Sequence, residues 1–251
     1  MLLITVNGIV IRERQCGEND KFIDIMTDKC GLMEVFVRGA RKITSKNASS
    51  AQLFAYSKFC LSKRRDRYCI DSAEPIKIFY SIRQELDKLA LASYFAEVIS
   101  YASMLEENRY DEILRLLLNV FHYLSEGTRE IKLLKSIFEL RFMTEIGNMP
   151  NVLGCAECNM YSAEKMYFII ENGTMYCSSC FSQHKKCTAV RINDPVLHAI
   201  RHIVLADFNR LFNFRLPEIS SDTLAYISEN YLITHIGKTF KTLEFYKTVV
   251  K

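Results

Sequence analysis

The stretch FAYSKFCLSKRRDRYCIDSA, residues 54–73, decides the fold. Phe54–Ser62 is rich in aromatic and apolar residues and reads as a β-strand. Arg64–Arg67 reads as a tight basic tip, and Tyr68–Ala73 as the returning strand. Three more strands precede this hairpin. Leu2–Arg12 is an extended β-branched run broken by Gly17-Glu18-Asn19-Asp20. Lys21–Thr27 follows, then a turn at Asp28-Lys29-Cys30-Gly31, then Leu32–Val37. Five short strands with turns at about 8–15-residue spacing predict a small closed barrel of the OB type.

From Pro75 the pattern changes period. Phe79–Met104, Tyr110–Leu124 and Glu130–Ile146 carry apolar residues at helical spacing. Gly147 and Pro150 stop the third of these. Asp194-Pro195 is predicted to cap a helix running to Leu205, and Ser221–His235 and Lys238–Val249 close the chain around Gly237. The expected fold class is α+β: an N-terminal five-stranded OB-fold barrel over residues 1–80, then a mainly helical domain over 81–251.

An irregular insertion at about 154–182 holds Cys155-x2-Cys158 and Cys177-x2-Cys180, separated by 18 residues. Two cysteines three apart on a tight turn can both reach one ion about 2.3 Å away, and a second such turn completes a tetrahedron. Met166–Ile170, the turn Glu171-Asn172-Gly173 and Thr174–Tyr176 supply a hairpin between the pairs. Four cysteines favour one closed, structural Zn2+ over a catalytic metal with an open position. The His-x-Glu of a zinc deaminase and the His-Glu-x-x-His of a zinc protease are both missing. Cys187 is read as a spare thiol. His198 and His202 lie four apart on a predicted helix, but no third ligand accompanies them.

The net charge is only +4, yet it is unevenly spread. Nine basic residues, Arg38, Arg41, Lys42, Lys46, Lys58, Lys63, Arg64, Arg65 and Arg67, face one acid, Asp66, within residues 38–67. That local excess of eight leaves the remainder of the chain at −4. A concentrated basic segment with aromatic neighbours is a nucleic-acid signal. Phe54 and Tyr56 are expected to face outward as a stacking platform, with Leu53, Phe59 and Leu61 in the core. Cys60 and Cys69 are expected to be small core residues.

Bulk composition agrees with a globular, non-membrane protein. Of 251 residues 49% are apolar and 25% charged. No run approaches the roughly 18 uncharged apolar residues of a membrane span. Nine cysteines, an odd number with four in close pairs, argue against a disulfide framework and for a reducing cytoplasm.

Taken in order, several of these segments resemble the bacterial recombination mediator RecO family over nearly the whole chain. They are Gly17-Glu18-Asn19-Asp20-Lys21 with Thr27 and Gly31, then Arg38-Gly39-Ala40-Arg41-Lys42, the approach Phe142–Pro150 to Gly154-Cys155-Ala156-Glu157-Cys158, and His235-Ile236-Gly237-Lys238-Thr239-Phe240-Lys241-Thr242. Two departures are Asn159, where the family often has glycine, and Thr242, where serine is common.

The resemblance implies an OB-fold that binds single- and double-stranded DNA and anneals complementary strands. It implies work with RecR, docking of the acidic, apolar C-terminal tail of single-stranded-DNA-binding protein, and loading of the recombinase RecA. It also implies DNA repair and recombination in the cytoplasm, at the nucleoid, without catalysis. An apolar slot for that tail, rimmed by cations, is expected on the 130–146 helix, with Lys132, Lys135 and Arg141 as the partner-binding residues. The alternative function is a zinc-ribbon transcription regulator, which needs a recognition helix with basic residues on one face. The 195–205 helix offers only Arg201 and two histidines. A nuclease would need carboxylates converging on Mg2+, and Asp20, Asp24 and Asp28 are the nearest approach to that.

Overall fold

A computed structural model describes residues 3–42, 44–102, 109–182 and 188–250. The chain forms two compact units, Met1–Glu126 with Phe240–Lys251, and Gly127–Thr239.

In the first unit, β1 (Leu3–Cys16), β2 (Asp20–Thr27), β3 (Gly31–Val37), β4 (Ala55–Arg64) and β5 (Arg67–Ile78) close into a barrel in the order β1-β2-β3-β5-β4. The long β1 pairs antiparallel with both β2 and β4, and β3 pairs parallel with β5. This is the expected OB-like barrel. Alternation along each strand fills it: Val6, Val10, Ile23, Ile25, Val35, Val37, Phe59 and Leu61 point inward and are buried. The turn between β2 and β3 is fixed by Thr27, whose hydroxyl donates to the Gly31 carbonyl at 2.7 Å and accepts from the Cys30 N–H at 3.0 Å. Gly31 has φ 65°, and a Cβ there would lie 2.7 Å from the Tyr110 ring. Only glycine satisfies both demands.

Two helices, α1 (Leu86–Ala102) and α2 (Tyr110–Glu126), belong to this unit, as does the C-terminal α7 (Lys241–Val249). The barrel strands end at Ile78, but the unit that contains them is longer than residues 1–80. On α2 the stripe Ile113, Leu117, Val120, Phe121 and Leu124 is buried. Phe121 meets Phe54 and Phe79 edge-on, with ring centroids 5.0 and 5.6 Å away. Phe54 is therefore core, not an outward platform. Its φ of 62° turns the chain just before β4 and reverses the expected sides of Leu53 and Phe54. α7 begins where Thr242 donates from its hydroxyl and its N–H to Glu97, at 2.5 and 3.1 Å. That contact accounts for a hydroxyl at this position.

The second unit contains α3 (Ile131–Glu145), α4 (Ser178–Phe181), α5 (Asp194–Leu205) and α6 (Glu218–Ile236). It also holds a sheet of β6 (Asn151–Cys155), β7 (Met166–Ile169), β8 (Thr174–Cys177) and β9 (Ala189–Ile192), in the order β6-β8-β7-β9. The cap of α5 is Asn193, one residue before the predicted Asp194: its side chain accepts from the Val196 N–H at 3.1 Å. α6 ends at Gly237 in the left-handed conformation, φ 70°. Among the described residues no helix is long and apolar enough to cross a membrane.

Candidate metal centre and nucleic-acid interface

Cys155 closes β6 and Cys177 closes β8, and these two strands are parallel neighbours. That pairing sets the two cysteine turns side by side. In the first turn the Asn159 N–H donates to the Cys155 carbonyl and the Cys155 N–H to the Met160 carbonyl, both at 2.9 Å. Asn159 takes φ 58°, the conformation its short polar side chain tolerates, so the turn forms without a glycine. In the second turn Cys180 follows on the short α4. The sulfur atoms of Cys155, Cys158, Cys177 and Cys180 all lie within 4.8 Å of one another. Cys158 and Cys177 are 3.7 Å apart, and bonds of 2.3 Å to one tetrahedral ion imply an edge of about 3.8 Å.

The four thiols influence one another. Burial opposes ionisation of Cys155, but N–H groups of Cys158, Cys177 and Glu157 aimed at its sulfur outweigh that and hold it at about 6. The Cys177 thiol, first, and burial push Cys180 up. Four sulfurs this close repel one another as thiolates, and a divalent cation among them removes that repulsion. The donor set and its spacing fit one closed, structural metal of the zinc kind.

Arg201, to which sequence reasoning assigns no structural role, holds this centre in place. It lies on the buried face of α5 and donates from Nε to the Val152 carbonyl at 2.7 Å and from Nη2 to the carbonyls of Leu153 and Tyr161. Its guanidinium lies 3.8 Å from the Tyr161 ring centroid. The signal in the sequence is a lone arginine among Leu197, Ile200 and Val204. Being buried, Arg201 is not a base-reading residue of a recognition helix.

On the barrel, all nine basic residues of 38–67 are exposed. Arg64 pairs with Asp71 at 3.2 Å; among the described residues no ion pair holds the other eight. The loop after β3 is anchored, because the Gly39 N–H donates to Asp20 at 2.7 Å and the Arg41 N–H to the Asn19 carbonyl at 3.0 Å. Segments 17–20 and 38–42, far apart in the chain, are thereby joined. At the tip between β4 and β5, Arg64 pairs with Arg67 and Arg65 has φ 55°. Asparagine or glycine is the usual choice for a positive φ in a two-residue hairpin turn, so this turn carries charge where conformation alone favours another residue.

Tyr56 and Lys58 share the outer face of β4. Tyr56 is half-buried, and burial and the nearby Asp28 charge raise its pKa. Lys58 lies six residues from Arg64, about 20 Å along the strand, so the nine cations form a spread surface and not a point. Cys60 and Cys69 are half-exposed, not core. Asp20, Asp24 and Asp28 do not converge. They bond separately to the Gly39 N–H, to Arg14 and to Asn7.

The slot expected on the 130–146 helix meets a different structure. Lys135 is buried, with Glu139 at 2.8 Å and Glu229 at 2.9 Å. Arg141 is buried against Glu145 at 2.6 Å and donates to the Ala206 carbonyl at 2.7 Å. Lys132 pairs with Asp222. Lys135 and Arg141 therefore rim no open slot: α3 is buried on nearly every face, and its cations neutralise internal carboxylates. His202 bonds the Arg210 carbonyl at 2.9 Å, and no third metal-binding side chain joins it and His198 among the described residues. Cys187 lies outside the described residues.

The family model described as Recombination protein O N terminal matches residues 1–79, and Recombination protein O C terminal matches residues 83–244. The chain is similar to a DNA repair protein RecO of Acetivibrio thermocellus, 30% identical over 249 residues, covering 99% of this chain and 98% of that one. It is also similar to those of Alkaliphilus metalliredigens, 26% identical with 99% and 100% covered, and Caldicellulosiruptor saccharolyticus, 26% identical with 99% and 100% covered. With a closed five-stranded barrel, a helical unit bearing four clustered cysteines, and matches along almost its full length, this chain belongs to the RecO family of DNA repair proteins.

Proposed function

We propose that this chain is a DNA-binding recombination mediator that acts by binding and exchange, with no catalytic residue. Its barrel binds single and double strands and anneals complementary ones. With RecR it helps load RecA onto strands coated by single-stranded-DNA-binding protein. One structural Zn2+ on Cys155, Cys158, Cys177 and Cys180 holds the helical unit together.

The observation that carries this reading is the state of the barrel cations. Arg38, Arg41, Lys42, Lys46, Lys58, Lys63, Arg65 and Arg67 are exposed and make no ion pair among the described residues. Such side chains are available to neutralise phosphates and release counterions. The Arg65 backbone adds weight, since local conformation is usually sacrificed where function asks for it. The functional division is then near residue 80, where the strands end. Contact with the acidic tail of single-stranded-DNA-binding protein requires exposed cations, and α3 supplies none beyond Lys132.

The test is binding to labelled single strands, bare and coated with the cognate single-stranded-DNA-binding protein. Binding to both, with annealing of complementary strands and no cleavage, is expected. Failure to bind either form overturns the reading.

A further inference from the structure

We propose that the cysteine centre is a peroxide-sensitive switch: a peroxide attacks Cys158, Cys177 resolves the product into a disulfide, and the short helix α4 is set free. This rests on the structural Zn2+ of the reading above.

The four sulfurs are not equally reachable. Cys155 and Cys177 are buried, Cys180 is half-buried and Cys158 is exposed. A metal holds its cysteine ligands as thiolates, and the thiolate is the form that a peroxide oxidises. Among thiolates the exposed one reacts first. Cys158 lies in the turn after β6, where residues 156–160 are all exposed. Its sulfur is 3.7 Å from that of Cys177 at the end of β8. A disulfide needs these atoms about 2.05 Å apart, and a turn exposed on this scale can yield the difference.

The chemistry takes two steps. The Cys158 thiolate attacks one oxygen of hydrogen peroxide and the O–O bond breaks. Cys158 becomes a sulfenic acid, and the departing hydroxide takes a proton to give water. The Cys177 thiolate then attacks the Cys158 sulfur. The S–S bond forms as the S–O bond breaks, and the second hydroxide leaves as water after taking a proton. Two thiolates lose two electrons and the peroxide gains them. Cys155 and Cys180 are left behind, and two ligands do not close a tetrahedral site. A dithiol reverses the reaction by exchange, itself becoming the disulfide.

The fold decides what moves. The new bond joins the same two turns that the metal joined, so β6 and β8 stay tied. Cys180 is outside that bond. It sits on α4, which buries none of its side chains. Without a metal at Cys180, α4 keeps the Phe181 stack on Tyr167, with centroids 4.2 Å apart, and the hydrogen bond from the Ser178 N–H to the Lys165 carbonyl at 3.1 Å. A single helical turn is not stable without such anchors, so losing one opens it. Chelating the metal from reduced protein differs, because it leaves no bond between the turns.

The test treats the reduced, zinc-loaded full chain with hydrogen peroxide. Released zinc is read with a chromogenic chelator, disulfides by peptide mass mapping, and opening by amide hydrogen exchange. One zinc per chain is expected to leave in step with one Cys158–Cys177 disulfide, and a dithiol with added Zn2+ should restore the starting state. Exchange at 178–181 should quicken by at least about tenfold, while β6 and β8 remain more protected than in chelator-stripped reduced protein. Zinc retained after Cys30, the exposed barrel thiol, has been oxidised overturns the switch. So does a disulfide between any other pair, or an α4 as protected as before. Reduced protein that holds no zinc overturns the metal reading itself.

Discussion

The barrel and the helical unit both carry many cations, but they use them in opposite ways. On the barrel the basic side chains of residues 38–67 are exposed, and only Arg64 has a carboxylate partner among the described residues. On α3 and α5, Lys135, Arg141 and Arg201 are buried, each facing carboxylates or backbone carbonyls. The same residue types therefore serve ligand binding in one region and architecture in the other. Charge counted along a sequence cannot distinguish the two uses; ion pairing and burial can.

The largest effect should come from breaking the architecture at its metal. Purified reduced protein is expected to hold about one zinc per chain, and Cys155→Ser to lose it. Structural zinc contributes about 10–16 kcal/mol in isolated finger peptides, and the core around Arg201 should reduce that to several kcal/mol here. Elemental analysis and thermal unfolding read both quantities. Reduced protein that carries no metal would show that the four cysteines are not a zinc centre.

Next comes the buried lysine. Lys135→Ala leaves Glu139 and Glu229 facing each other without their cation and should cost about 3–5 kcal/mol in denaturant unfolding. Burial disfavours the Lys135 ammonium, but the two glutamates more than offset this, so its pKa lies above the ordinary lysine value of 10.5. Its contribution is then fully present below pH 10.5 and is lost only as pH rises through the higher folded value. Lys63→Ala on the barrel should change stability by no more than about 0.5 kcal/mol. Equal costs at the two sites would erase the contrast between the regions.

The smallest effect tests the contrast from the other side. Arg65 holds a left-handed backbone that suits asparagine better. Arg65→Asn should raise stability by up to about 1 kcal/mol while weakening DNA binding. A variant that is destabilised, or that binds DNA as wild type does, would show that Arg65 is there for another reason.

The barrel was legible because its signals are local: period-two alternation, turn residues and five spaced strands. The cysteine centre was legible for the same reason, since ligand spacing encodes the two turns. What was not legible depends on neighbours remote in sequence. Phe54 goes inward because Phe121 and Phe79 await it. Lys135 and Arg141 go inward because α6 brings Glu229 and the chain after α5 brings the Ala206 carbonyl. The pairing of Phe22 with Phe36 follows from register, which residue types alone do not reveal. β6 and β9 leave little trace in the sequence because they are only five and four residues long and join a hairpin from outside.

The salt dependence of single-strand affinity tests the central claim most directly. If four to six of the barrel cations meet phosphates, log K against log salt should slope at about −3 to −4 for single strands. Replacing Lys63, Arg64, Arg65 and Arg67 together with alanine should flatten that slope by up to about 2.8, at about 0.7 per lost contact, while Lys132→Ala leaves it unchanged. A slope unaltered by the fourfold barrel substitution, or one flattened by Lys132→Ala, would contradict the account.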